Sequence, residues 1–371
     1  MTDYRNSGKK RKTAAMKRLS LLIGIWMIAS FIFANPFSGF KEVQAAARTD
    51  LDNMRGVWIS YVDYSNMGLY NKSEATFTRN ADKIFKQLKN DNINTVFFHV
   101  VPYDDAIYPS EYLGWSKKMF KKQPAYDPLK ILIETSHKYD ISFHAWINPY
   151  RMKSGKSYNP GKTSSTTRIV NIVKEIVTNY DVDGIHFDDY FYPANGQFKT
   201  VSVSKRKKNI NKMVKTVYQT VKQTNPDVVF GISPAGNLQY AKSIGCDLEN
   251  WLSQSGYVDY IVPQIYWTDD YKLNGKNYKM FTNRLNQWIA INQNETPMMI
   301  GLALYQSGTK SRIDQGWSKR SDNIVKQIQQ QKEAGCQGFV LFSGTYMTNR
   351  SAKKEMKNYR KYIKIEQNDG L

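Results

Sequence analysis

The densest chemistry in the sequence lies in the run Asp183-Gly184-Ile185-His186-Phe187-Asp188-Asp189. Along an extended strand, successive side chains point to opposite faces. Ile185 and Phe187 then share an apolar face, and His186 and Asp188 share the other. A carboxylate on an enclosed face is costly unless it is paired or used. Asp188 is therefore the leading catalytic candidate, as nucleophile or charge stabiliser, and an ion pair with Arg55 or Arg151 is its structural alternative. Asp189 joins it only if the strand ends between the two. The exit Tyr190-Phe191-Tyr192-Pro193 suits such a turn, so Asp189 is the second catalytic candidate, with capping of the following loop as its competing role.

Other polar and aromatic residues gather at the ends of similar runs. His144, Trp146 and Asn148 alternate with Phe143, Ala145 and Ile147, and His99 ends an earlier run. Gln264 and Tyr266 share a face, and Trp267 follows them. Aromatic faces stack on sugar rings while amides and carboxylates bind hydroxyls, and apolar walls with a few placed polar groups mark a ligand site. The substrate-binding candidates are Trp58, His99, His144, Trp146, Asn148, His186, Tyr192, Gln264, Tyr266 and Trp267. Around one metal, His99, His144 and His186 would instead suit a metal-dependent deacetylase. No carboxylate stands at a typical ligand spacing from them, so no metal or other cofactor is expected. Hydrolysis of a glycosidic bond normally needs two carboxyl groups. Asp104, Asp105, Glu111, Asp269 and Asp270 rival Asp189 for the second role, and a glycan-binding barrel without catalysis would need no pair.

The elements that position these residues repeat eight times. Apolar, β-branched and aromatic runs cover 54–60, 94–100, 141–147, 183–189, 228–234, 258–266, 297–305 and 336–343. Such runs have the composition of buried strands. Helical spacings lie between them, as in Ala81, Ile84, Phe85 and Leu88, or Ile169, Ile172, Val173 and Ile176. Alternating strands and helices imply α/β architecture with a parallel sheet. Eight repeats imply a (β/α)8 TIM barrel, whose active site lies at the carboxyl ends of the strands. A doubly wound sheet would place a glycine-rich turn after its first strand. Here that strand runs into Ser60-Tyr61-Val62-Asp63-Tyr64. The barrel is expected over 48–365, with a polar tail at 366–371.

Residues 1–47 read as an export segment. A basic lead containing Arg5, Lys9, Lys10, Arg11, Lys12, Lys17 and Arg18 precedes an uncharged stretch, 19–40, and then Val43-Gln44-Ala45-Ala46-Ala47. This is the order of a secretory signal peptide, cleaved after Ala45 or Ala47. An uncleaved membrane anchor is the alternative, because the apolar stretch approaches the roughly 20 residues that span a bilayer. The formal charge is +21, of which +6 lies in residues 1–45, leaving +15 in the remainder. Such excess favours anionic polymers. Export argues against nucleic acid and for an anionic cell wall or membrane surface. Cys246 and Cys336 show no spacing that argues for a bridge.

Taken together, Arg55-Gly56-Val57-Trp58-Ile59-Ser60, the histidine-ended second strand, FHAWINPYR (143–151), DGIHFDDYFYP (183–193), GISP (231–234) and VPQIYW (262–267) resemble the bacterial glycosyl-hydrolase-like family 10. The resemblance spans about 50–365. It implies an exported barrel glycosidase acting on bacterial cell-wall glycan, peptidoglycan above all, with Asp188 and Asp189 as the carboxylates its fourth-strand motif supplies. The same motif is more distantly similar to that of family 18 chitinases, matching at Asp183, Gly184 and Asp188. However, Tyr190 stands where that family has its acid glutamate, and a phenol does not donate a proton as a carboxylic acid does near neutral pH.

Overall fold

The computed structural model describes residues 49–368, so the expected export segment, 1–47, lies outside the described residues. All eight apolar runs form strands: β1 (Met54–Ile59), β2 (Thr95–Val101), β3 (Ser142–Ile147), β4 (Gly184–Asp188), β5 (Val229–Ser233), β6 (Tyr260–Ile261), β7 (Met299–Leu302) and β8 (Gly338–Phe342). They pair in parallel in the order β7-β8-β1-β2-β3-β4-β5-β6. Parallel bridges Ile261↔Met298 and Gln264↔Gly301 join the two ends and close the (β/α)8 barrel. β6 is shorter than its apolar run. Pro263 has no N–H to give to a ladder, and pairing resumes only at Gln264.

The crossovers are helical where the spacing predicts helices. The longest are Glu74–Asn90, Thr163–Asn179 and Val203–Thr224, which bury Ala81, Phe85 and Leu88, then Ile169, Ile172, Val173 and Ile176, then Val214, Val217 and Val221. Helix Pro128–Lys138 starts sharply because the Asp127 side chain accepts from the Leu129 and Lys130 N–H groups and Pro128 occupies the first turn. Between β5 and β6 the crossover shrinks to two short helices, Leu238–Ser243 and Leu248–Trp251. The last helix, Lys353–Asn368, runs through Glu366, where a free tail was expected. There the Glu366 carboxylate pairs with Lys332 at 2.9 Å.

Strand alternation divides the interior into two cores. Val57, Phe98, Phe143, Ala145, Ile185, Phe187, Ile232 and Leu341 face the helices and form the larger one. Met54, Trp58, Phe97, Trp146, Tyr260, Val262, Met299 and Val340 fill the barrel itself. Inward-facing glycines make room for rings: a Cβ on Gly184 would lie 2.6 Å from the His144 ring, and one on Gly231 would lie 2.2 Å from Tyr260. These side chains fill the barrel axis below its carboxyl end, and a cavity opens at the mouth.

Candidate active site

At the carboxyl ends of the strands the inner faces converge on a cavity of about 230 Å³. Trp58, His99, Trp146, Asp188, Ser233, Gln264, Tyr266 and Phe342 line it from the strands and their exits, and Ser60, Tyr61, Val62, Arg151 and Tyr190 from the loops. Asp188 is the single carboxyl group in that lining. Behind the rim, the buried Asp63 carboxylate accepts from Ser60 N–H, Ser60 Oγ, Ser343 Oγ and Thr345 N–H, tying the exits of β1 and β8 together.

Asp188 ends β4 and is 2% exposed. One of its oxygens accepts from Trp146 Nε1 at 3.2 Å and the other from the Tyr190 N–H at 3.3 Å. The Trp146 ring is held for this contact by parallel stacking on His99, with centroids 3.9 Å apart. Burial, and then the charge of Asp189, pushes the Asp188 carboxyl up to about 8, against the pull of its two N–H donors and of Arg151. Arg151 acts through space, without an ion pair. Asp189 points elsewhere: half-buried, it accepts the Ala235 N–H at 2.9 Å and does not line the cavity. Burial pushes it up to about 6, and the Ala235 N–H opposes the shift. The strand thus ends between the two aspartates, as the turn Tyr190–Pro193 requires, yet only the first reaches the cavity.

Below the floor of the cavity a chain of hydrogen bonds occupies the barrel axis. His186 Nε2 lies 3.2 Å from both Trp58 Nε1 and Ser233 Oγ, and its Nδ1 lies 3.1 Å from the Tyr260 hydroxyl. The same hydroxyl is 2.7 Å from His144 Nδ1, whose ring reaches Thr49 Oγ1 at 2.9 Å through Nε2. An indole N–H only donates, so His186 Nε2 accepts and its proton sits on Nδ1. That N–H donates to Tyr260, whose O–H donates to His144 Nδ1, leaving His144 Nε2–H for Thr49. Burial holds both rings neutral, His144 down at about 3. All four ring nitrogens are thereby engaged by protein groups, and among the described residues no cluster of three His, Cys, Asp or Glu could hold a metal.

Several predicted substrate contacts fall outside the cavity. His144 and His186 lie beneath it in that chain. Asn148 is buried beyond the end of β3, with neither amide atom hydrogen-bonded among the described residues. Tyr192 is packed into the β4 exit, where its hydroxyl accepts from Asn209 Nδ2 at 2.7 Å and Arg206 covers its ring. Trp267 lies against the outer core with Arg284 over it. Both aromatics follow the strand end by several residues, and the loop carries them away from the axis. The rival carboxylates are committed too. Asp104 accepts the Lys153 N–H, Asp105 pairs with Lys153, Asp269 accepts from Thr282, and Asp270 pairs with Arg320. Glu111 does not line the cavity either. Conversely, Ser60, Arg151 and Tyr190 line the cavity just past strand ends, although their residue types alone marked no binding role for them.

The glycosyl hydrolase-like 10 family profile matches residues 53–157 and 154–319. The chain belongs to that family. It is 30% identical to the glycosyl hydrolase YngK of Bacillus subtilis strain 168 over 377 residues, covering 84% of this chain and 69% of that protein. It is 28% identical to the glycosyl hydrolase DigH of Escherichia coli K12, covering 83% of this chain and 87% of the other. Among solved structures, the fold matches the PgaB (BpsB) glycoside hydrolase domain of Bordetella bronchiseptica with a TM-score of 0.57 at 11% identity, over 83% of this chain and 99% of that one. It matches the β-amylase catalytic domain of Paenibacillus polymyxa with a TM-score of 0.56 at 11% identity, over 84% and 98%. As a glycosyl hydrolase-like 10 member the chain is a glycosidase of the (β/α)8 class. In this member Asp183 lies at the opposite end of the barrel from the cavity, bound to His137 at 2.8 Å and the Phe143 N–H at 2.7 Å. Tyr190 lines the cavity, and burial together with Asp188 pushes its phenol up to about 12.

Proposed function

We propose that the chain is exported and hydrolyses a bacterial cell-wall glycan, peptidoglycan strands above all, with Asp188 delivering a proton to the leaving glycosidic oxygen. The observation that carries this reading is the enclosure of Asp188: the one carboxyl group facing an aromatic-walled cavity keeps its proton at neutral pH. A raised carboxyl is what a general acid needs at pH 7. This favours proton donation over the nucleophilic role that the sequence offers for Asp188. As the C–O bond breaks, the Asp188 proton passes to the departing oxygen. The oxygen of water then bonds to the anomeric carbon, and its released proton returns to the Asp188 carboxylate. The +15 charge outside residues 1–45 supports an anionic wall as the setting.

One observation favours a second reading. A lone carboxyl group in the cavity, without a facing partner, also suits a wall-binding barrel that does not cut. The test is digestion of purified wall, with and without its peptide stems, by the native protein and by Asp188→Asn, with products identified by mass. We expect sugar fragments from the native protein and almost none from the variant. Hydrolysis by Asp188→Asn at the native rate would refute the assignment of Asp188. Binding by the native protein without any cleavage would establish the second reading.

A further inference from the structure

Proton donation by Asp188 leaves a cation at the mouth of the cavity unused. The Arg151 guanidinium carbon lies 5.0 Å from the centroid of the Tyr103 ring and 4.6 Å from that of Tyr190. Lys118 joins the same aromatic rim, 5.2 Å from the Tyr61 centroid and 5.8 Å from that of Tyr103. Two further cations nearby are occupied: Lys153 pairs with Asp105 at 3.2 Å, and Arg168 donates to the Pro149 carbonyl. Among the described residues the Arg151 guanidinium takes part in no ion pair and no hydrogen bond, and it lines the cavity with Asp188.

The chemistry of the group says what it awaits. Tyrosine rings cover the faces of a guanidinium, while its five N–H donors lie in the plane and stay open at the edge. That edge matches a carboxylate in bidentate fashion. Asp188 does not fill the role, because at neutral pH it is a carboxylic acid without the charge.

We propose that Arg151 is a specificity-determining residue that reads a carboxylate carried by a sugar of the glycan, seated beside the bond that Asp188 protonates. The inference rests on the hydrolytic reading for its orientation but not for its binding partner. A lactyl ether on an amino sugar and the ring carboxylate of a uronic acid share this chemistry. A neutral chitin-type strand lacks it.

The experiment measures binding in Asp188→Asn, so that the oligosaccharide stays intact. Titration calorimetry compares oligosaccharides of lactyl-bearing amino sugars with their carboxyl-reduced forms, and oligouronates with theirs. For one carboxylate series we expect tighter binding than for its reduced form by on the order of 10- to 100-fold. Adding Arg151→Gln should bring that ratio close to one, while Arg151→Lys, a point charge without the fork, should keep part of it. Any general disturbance of the cavity by the Arg151 substitution would weaken both forms alike, so the ratio isolates the contact. Thermal unfolding of each variant confirms that it is folded. Equal affinity for both forms, no binding of either carboxylate series, or a ratio that survives Arg151→Gln overturns the proposal. Preference for the oligouronate would uphold Arg151 and move the source of the carboxylate away from the lactyl group. Arg151-dependent binding with no cleavage by the native protein would leave the proposal standing and remove the hydrolytic reading instead.

Discussion

Replacing Asp189 with Asn should shift the pH profile rather than abolish the chemistry. The charge of Asp189 is the largest influence on Asp188 after burial itself. Side chains on consecutive residues leave Cα atoms 3.8 Å apart toward opposite faces, which puts the two carboxyl groups roughly 7 Å apart. At an effective dielectric of about 20, two unit charges at that distance interact by ~2.4 kcal/mol. At 1.36 kcal/mol per pH unit, removing the charge lowers the Asp188 carboxyl by about one to two pH units. Asp189 has a pKa of about 6, so it is charged where native Asp188 titrates, near pH 8. Asparagine keeps an oxygen for the Ala235 N–H, and the turn should hold.

The assay is the pH dependence of kcat/KM, which reports the ionisation of the free enzyme. The native protein should lose activity as pH rises through about 8. For Asp189→Asn the same limb should fall between roughly 6 and 7. At pH 7.5 the protonated fraction of Asp188 would drop from about three quarters to roughly one tenth, and acidification to about 5.5 should restore most of the loss. A uniform loss at every pH, with the limb unmoved, would show that Asp189 acts by contact and not by charge. A native profile with no fall near pH 8 would remove Asp188 as the proton donor.

Asp188→Asn should stabilise the barrel while ending hydrolysis. The folded carboxyl holds its proton between about pH 4 and 8, where the unfolded one has lost it, so native stability falls as pH rises through that window; abolishing the penalty should add up to about 4 kcal/mol at pH 7, measured by denaturant unfolding, and an unchanged slope of stability against pH would contradict the raised carboxyl. Tyr260→Phe removes the hydroxyl shared by His144 and His186 and should cost about 1–3 kcal/mol by stranding buried nitrogens. A variant as stable as the native protein would show that the axial chain carries no such load. Binding to isolated wall should weaken as salt rises, because exposed charges are screened beyond ~8 Å at physiological ionic strength; sedimentation of wall with bound protein at low and high salt checks this, and indifference to salt would remove charge from the explanation.

Much of this architecture was legible because period-two alternation leaves a plain record. Phe143, Ala145, Ile185 and Phe187 are apolar because they meet helices, and the intervening His144, Trp146, His186 and Asp188 had no face left but the inner one. What alternation cannot supply is depth along the axis. His144, His186 and Asp188 face the same way, yet two are sealed in packing and one meets the cavity, since depth depends on the relative stagger of strands distant in sequence. Loop residues were harder still. Tyr192 and Trp267 stand near strand ends on paper and leave the axis in space, while Arg151 and Tyr190 return to it, because turns rather than periodicity decide their direction. The partner of His144 and His186 was hidden for a related reason: Tyr260 sits in an apolar run and reads as core.

The axial chain also bears on the acid. A buried imidazolium beneath Asp188 would favour the carboxylate and pull its proton away. The chain forbids that charge. Trp58 donates to one nitrogen of His186, so that nitrogen must accept, and the other already spends its proton on Tyr260. His99, stacked on Trp146, is likewise held well below its ordinary range by burial and by Arg151. The neighbours that could have neutralised Asp188 are thus kept neutral by their own partners and surroundings. The positive charge that remains, Arg151, is braced on tyrosine faces at the rim and acts on Asp188 only through space. A packed, neutral axis below and a cation held at the mouth are therefore two halves of one arrangement: the first keeps a proton on Asp188, and the second leaves a charge free for the glycan.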